Sequence, residues 1–436
     1  MKLNPLLVLP CLSISTAMAG EILPYTDPGN DGGWKLNEKV SDEFEGDALD
    51  MEKWLNLGLD GNYHGEWKGR APSQFNPANV SLRDGKLVIA SRWDPGFEFS
   101  DSKFNNGFHY GKPAPVTTGS IISRHKFKYG YMEMRCKAAD GPVSSSFWST
   151  GPGGEIDVFE HFGANPEKPH SEKRFHTSFH DWRKGSQTFG KRIWTNDHML
   201  DFRVADDFHI YGLEWAEDFL KIFVDGRLVN CVTKDELGDK WVATSEQKIW
   251  IDCETFDWEI KPSALKESDF DENVEFIVDY CRIWQREGEA SGCEERENLV
   301  SNESFEKGMD SWSGAAEIVS GKSRAGDSSA LLKKDARIEQ TIKVRPNTTY
   351  MLSAWVASPA ENQANVWIAG RLGANGFGKD ESSTTFIFPY YQEKSLQIKT
   401  GQDTETISVF FENKSKNGSV IVDQITLTEA PDLSAK

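Results

Sequence analysis

Between about residues 20 and 287 apolar and polar positions alternate in short runs separated by clusters of Gly, Asp, Asn and Pro, as in "NVSLRDGKLVIASR", "YGYMEMRCKA", "FHIYGLEW", "FLKIFVDGRLV" and "FIVDYCRIWQ". A period of two over four to eight residues is the signature of half-buried strands. Asp84-Gly85 and Asp225-Gly226 sit between such runs, where a two-residue hairpin turn needs residues tolerant of positive φ. Helical period is nearly absent, with one turn expected around "PSALKES". The pattern predicts an all-β sandwich over 20–287. A charged stretch with no apolar period, "REGEASGCEERE", then reads as a linker at 288–296, and "NLVSNESFEKGMDSW" opens a second, smaller β-sandwich over 297–436.

The first residues, "MKLNPLLVLPCLSISTAMAG", have a different pattern: a lysine, an apolar run too short to cross a bilayer, and small residues at Ala17 and Ala19. They read as a signal peptide, 1–19, so that the mature protein is expected to be secreted or periplasmic, with no membrane span, and a monomer. A formal charge of −19 argues against nucleic acid as the partner but leaves room for a sulfated ligand met by a local basic patch. Fifteen tryptophans suit either the aromatic core of a β-sandwich or exposed indole faces on which sugar rings stack. The remaining cysteines, Cys136, Cys231, Cys253, Cys281 and Cys293, are odd in number and widely spaced; this is neither a disulfide framework nor a zinc motif, and a single bridge is compatible with it.

The segment "GGEIDVFEHFG" places three acids, Glu155, Asp157 and Glu160, in an apolar strand. Acids at these offsets are weak evidence in so acidic a chain: Glu267, Asp269 and Glu272 in "ESDFDE" repeat the spacing within a polar, turn-like stretch. Context separates the two. In a strand Glu155 and Asp157 share a face, with Ile156 and Val158 opposite, and strict alternation would then put Phe159 rather than Glu160 beside the first two acids. A β-bulge before Glu160 brings all three to one face, and bulges are frequent next to active sites. Three like charges on one strand face serve no packing purpose. They suit glycoside hydrolysis, in which one carboxylate attacks the anomeric carbon and another protonates the leaving oxygen.

With "EIDVFE", the preceding "SSSFW", the upstream "TTGSIISRHKFKYGYMEMRCKA", the opening "SDEFEGDALDMEKW" and the closing "VDYCRIWQ", residues 35 to 286 resemble glycoside hydrolase family 16. The resemblance implies a concanavalin-like β-jelly-roll and retaining, endo-type cleavage by double displacement, with Glu155 as nucleophile, Asp157 as its helper, Glu160 as acid/base, and no catalytic cofactor. "WKGRAPSQFNPANVSL" resembles the branch acting on red-algal galactans: β-agarases, β-porphyranases and carrageenan- or furcellaran-cleaving enzymes. A laminarinase or other β-glucanase of the same family, or a non-catalytic lectin-like binder, is the alternative. The second segment resembles jelly-roll carbohydrate-binding modules, which implies a structural calcium held by Glu306 and Asp423, against a reading of both as ordinary caps and turns.

Other candidates follow from residue type and position. Trp148, Trp67 and Trp258 are candidate sugar platforms, against ordinary core packing. Arg70 is the foremost candidate for a sulfate, ahead of Arg92, Arg124, Arg174 and Arg183, because a guanidinium offers a planar fork. His176 and His180 in "RFHTSFHDW" share one side of a strand rather than a helix, and His180 resembles the family's cleft histidine. Glu254 would line the site from a neighbouring strand. In the second segment Trp355 and Trp367 are possible sugar contacts, with burial the alternative for Trp355.

Overall fold

A computed structural model describes residues 21–63, 67–101, 103–104, 114–242, 244–271, 274–286, 297–324, 326–358, 370–376, 382–386, 392–415 and 418–429. The expected leader 1–19, the linker 288–296, Cys293 and Trp367 lie outside the described residues.

Two sheets form the first sandwich. One runs in the order Arg227–Thr233, Phe219–Val224, His209–Trp215, Gly130–Lys137, Val274–Arg286, Lys86–Trp93, Val116–Thr118 and Gln74–Phe75. The other carries the three acids and comprises β1 (Trp54–Asn56), β2 (Ser120–Ser123), β3 (Ser145–Gly151), β4 (Gly154–His161), β5 (Arg174–His180), β6 (Arg192–Met199) and β7 (Lys248–Asp252), in the spatial order β1-β2-β7-β3-β4-β5-β6. The core between the sheets includes Met132, Met134, Phe147, Ile156, Val158, Phe159, Phe175, Phe179, Leu213 and Ile283. Fully burying each of these apolar side chains contributes roughly 1.5–3 kcal/mol. Both Asp-Gly pairs adopt positive φ, Asp84 52° and Gly85 67°, Asp225 47° and Gly226 76°, and join adjacent antiparallel strands. The "PSALKES" region supplies short 3₁₀ turns at Pro262–Ala264 and Glu267–Phe270. "ESDFDE" is therefore a surface turn in which Asp269 caps Lys266 N–H, with Glu272 outside the described residues.

The C-terminal segment is a second sandwich. Its own core holds Phe305, Trp312, Leu352, Ile398, Phe411 and Val422. One of its two sheets contains β8 (Thr349–Ala357) and β9 (Gln392–Lys399), and β9 pairs in parallel with β6, so that one continuous sheet passes from the first sandwich into the second. Met351 of β8 joins the first sandwich's core, and Trp355, half-buried, packs against that core with the Arg324 guanidinium 4.4 Å from its ring. Trp355 is thus a packing residue at the junction rather than an open sugar platform. Cys231 is disulfide-bonded, whereas Cys136, Cys253 and Cys281 are free and buried.

Candidate active site

The bulge lies at Val158. Against β3, Asp157 pairs with Trp148 while Phe159 pairs with the adjacent residue Phe147, so β4 carries one extra residue between them. Val158 and Phe159 consequently both enter the core, at 0 % exposure, and Glu160 returns to the face of Glu155 and Asp157. The cost is one unpaired ladder position; the return is two large apolar side chains buried in succession with the third acid kept out of the core.

On this face β5 faces β4 with Glu155 opposite His180 and Asp157 opposite Ser178. Asp157 is buried; its Oδ2 accepts from Ser178 Oγ at 2.5 Å and lies 3.2 Å from His180 Nε2. Burial alone would push its pKa up, but the hydrogen bond and charge of His180 outweigh burial and hold it below the ordinary range. Glu155 behaves oppositely. Burial first, and the Asp157 charge second, push it up to about 8, although Trp182 Nε1 donates to its Oε2 at 3.0 Å. Glu160 is also raised, by burial and then by Asp157, with His176 Nε2 4.0 Å from its Oε2. The negative charge therefore concentrates on Asp157, the acid with the best hydrogen bonds, and both glutamates hold their protons to higher pH than an ordinary carboxyl.

Trp148 shares this face, beside Asp157 on β3. Its indole N–H donates to Asp252 Oδ2 at 2.8 Å and its ring stacks on Trp250 with centroids 4.6 Å apart. Beyond β7, Arg70 lies against three rings, Phe256 at 4.7 Å, Trp258 at 4.9 Å and Trp67 at 5.7 Å, with Glu254 Oε2 3.9 Å from its NH1. The charges of Glu254, Glu160, Asp252 and Glu155 raise the Arg70 pKa against the effect of burial, which places its guanidinium within the field of the carboxylates. Trp67 and Trp258 are both exposed, and Trp258 stacks on Phe256 at 4.8 Å. Glu254 is buried and hydrogen-bonded by Trp67; burial lifts it to about 7, and its Oε1 has no hydrogen-bond partner. The other arginines are spent elsewhere: Arg92 on Asn79, Arg124 on the Met51 and Trp54 carbonyls, Arg174 on Glu259, and Arg183 on Asp181.

Three participants were not singled out from sequence. Trp182 reaches Glu155 from two residues past the end of β5, Ser178 holds Asp157, and Asp197 on β6 accepts from His176 Nδ1 at 2.6 Å. Cross-strand pairing and the turn after β5 select them, and nothing in the local sequence marks them out. Glu306 and Asp423 of the second sandwich converge on one turn. Glu306 Oε1 accepts the Asp327 and Ser328 amides, and Asp423 Oδ2 accepts the Arg324 amide.

Two glutamates flanking a buried aspartate, beside flat aromatic faces and a guanidinium, make a site for acid/base and nucleophilic chemistry on sugar rings, the class of glycoside hydrolases. Comparison with known proteins agrees. Residues 34–286 match the family described as "Beta-porphyranase A-D, GH16 domain", and residues 297–418 match a carbohydrate-binding domain family. β-Porphyranase B of Zobellia galactanivorans is 29% identical over 314 residues, 65% of this chain and 98% of that one. β-Agarase A of the same organism is 27% identical over 358 residues, 75% of this chain and 61% of that one. The crystal structure of porphyranase B from Z. galactanivorans superposes with a TM-score of 0.48 at 26% identity, covering 60% of this chain and 98% of that one. The chain belongs to glycoside hydrolase family 16, in its β-porphyranase A–D group, and it carries a C-terminal carbohydrate-binding domain.

Proposed function

We propose that the protein is an exported, endo-acting, retaining hydrolase of a red-algal galactan, with porphyran and agar the foremost substrates. The observation that supports this most is the bulged strand, which aims Glu155, Asp157 and Glu160 at one face beside Arg70 and its aromatic surround. The names of its relatives, β-porphyranase and β-agarase, point the same way. Glu155 attacks the anomeric carbon as a carboxylate, and Glu160 gives its proton to the departing oxygen; water then displaces Glu155 from the glycosyl carbon while Glu160 takes back a proton. Glu155 must first lose its own proton. Asp157 is the nearby acceptor, with a carboxylate oxygen of Glu155, one of Asp157 and a ring nitrogen of His180 all within 4.8 Å of one another. Transfer to Asp157 leaves Glu155 anionic beside a neutral hydrogen-bond donor. Arg70 supplies the local cation that a sulfated or densely hydroxylated chain needs on a protein of charge −19. The C-terminal domain concentrates the enzyme on an insoluble polymer.

The test is reducing-end release from agarose, porphyran, furcellaran, carrageenans and β-glucans, with anomeric configuration followed by NMR. Cleavage of porphyran or agar with retention is expected. Release from laminarin or lichenan alone would replace the galactan with a β-glucan, a substrate class made relevant by 28% identity to a β-glucanase of Acetivibrio thermocellus over 197 residues. Gel binding with no cleavage of any polymer would leave a lectin-like protein. Glu160→Gln should reduce turnover of natural chains by about 10²–10⁴-fold and spare glycosides with acidic phenol leaving groups, since it removes the proton donor alone.

A further inference from the structure

On the carboxylate face, the register from β4 to β9 forms a row of groups that crosses from one domain into the other. Glu160 on β4 faces His176 on β5, Oε2 to Nε2 4.0 Å. His176 is in register with Asp197 on β6, and Nδ1 lies 2.6 Å from Asp197 Oδ1. Asp197 is in register with Lys394 on β9, whose Nζ donates to Asp197 Oδ2 at 3.0 Å. Lys394 and Asp197 are 4% and 6% exposed. Lysine is almost never buried to this degree unless paired, and taking both ions out of water costs several kcal/mol per ion before their attraction is counted. A domain that served only as a tether would need no such pair. Arg174, the other cation near Asp197, lies 3.9 Å away and gives its shorter contact, 3.1 Å, to Glu259.

We propose that Lys394, supplied by the carbohydrate-binding domain, is a positioning residue for the acid/base carboxyl: it fixes Asp197, Asp197 fixes the ring of His176, and His176 orients Glu160. This rests on the assignment of Glu160 as acid/base above. An acceptor on Nδ1 sets both the tautomer and the plane of a histidine ring, so Asp197 decides what Nε2 presents to Glu160. Without Lys394 the buried Asp197 carboxylate is free to turn toward Arg174, and the acceptor that holds His176 is displaced. The other groups acting on Glu160 remain in place: Glu155 and Asp157 on its own strand, His180 on β5, Arg70 in the loop beyond the sheet, Asp252 at the end of β7 and Glu254 two residues beyond it, and Arg174 at the start of β5.

The experiment compares the full-length wild type, Lys394→Met and Lys394→Arg on two soluble substrates: an oligosaccharide of whichever polymer is cleaved, and the matching glycoside of an acidic phenol. For Lys394→Met, kcat on the oligosaccharide should fall about 10-fold or more with KM within about twofold, while the phenol glycoside keeps most of its rate, because only the first substrate needs the acid. Lys394→Arg, which keeps the cation, should recover most of the loss. An equal fall on both substrates, or a loss seen only on solid polymer, would overturn the proposal. If Lys394→Met does not fold, Lys394→Gln, an uncharged donor to Asp197, is judged by the same leaving-group comparison. Glu160→Gln, run alongside, separates the two levels. If Glu160→Gln discriminates between the substrates and the Lys394 variants do not, the positioning role alone falls; if Glu160→Gln depresses both equally, the acid/base assignment falls with it.

Discussion

At Glu155 a carboxyl that the proposed chemistry needs as an anion is held by burial in its protonated form, up to about 8. The same burial that makes the glutamates useful makes them costly. A carboxyl whose folded-state pKa is raised costs nothing while it is neutral in both states, below about pH 4.5, and subtracts stability as pH rises toward 8. Glu155→Gln is therefore expected to abolish turnover and, at pH 8, to raise the unfolding temperature by about 2–4 °C for each kcal/mol recovered. The gain should vanish near pH 4; thermal melts across this range would detect a gain that instead persists in acid, which would contradict a protonated Glu155. The rate profile carries the same sign. Because the active form keeps one proton on the Glu155–Asp157 pair and one on Glu160, and both glutamates are raised, the alkaline limb of kcat/KM against pH should fall above the ordinary carboxylate range, and a fall that begins near about pH 4 would contradict protonated glutamates.

At the scale of the strand, one extra residue lets two successive apolar side chains enter the core while three acids stay on one face. Deleting Val158 would remove that residue and leave Glu155, Asp157 and Glu160 together by strict alternation, with Phe159 alone entering the core between Asp157 and Glu160. The expected product is a folded chain of lower melting temperature, judged by circular dichroism, because a fully buried valine is lost from the core while the acids keep their face. A chain that does not fold would show that the bulge itself is needed to hold β4 in register on its neighbours. The need for the bulge was legible in sequence, because Ile156, Val158 and Phe159 cannot all be apolar on one face without it. The partners on β5 were not. "RFHTSFHDW" announces a strand with two histidines on one side, but nothing local says that His180 stands opposite Glu155 or that Trp182 donates to it.

At the scale of the whole molecule, the continuous sheet through β6 and β9 makes the two sandwiches mechanically one on the side of the site. Turn composition and a charged linker stretch suggested two separate units joined by a tether, which is the natural reading when contacts between segments some 200 residues apart are invisible. The proposed calcium belongs to this scale. It would take Glu306 and Asp423, which now accept backbone amides of the turn between Arg324 and Ser328. Hard carboxylate oxygens suit calcium, so EDTA should lower the melting temperature of the C-terminal domain and calcium should restore it. An unchanged melt would leave the two acids as the turn's caps.

By itself the sequence determined what depends on neighbours along the chain: the strand period, the Asp-Gly hairpins, the bulge forced by two successive apolar residues, and the three acids whose spacing and context set them apart from "ESDFDE". Tertiary structure alone decided what depends on register between distant strands: which acid carries the charge, why Arg70 rather than Arg92, Arg124 or Arg183 lies beside the carboxylates, and how Lys394 comes to pair with Asp197. The physical reason is that hydrogen bonds, ion pairs and burial fall off over a few ångströms in space, and distance along the chain says almost nothing about distance across a sheet.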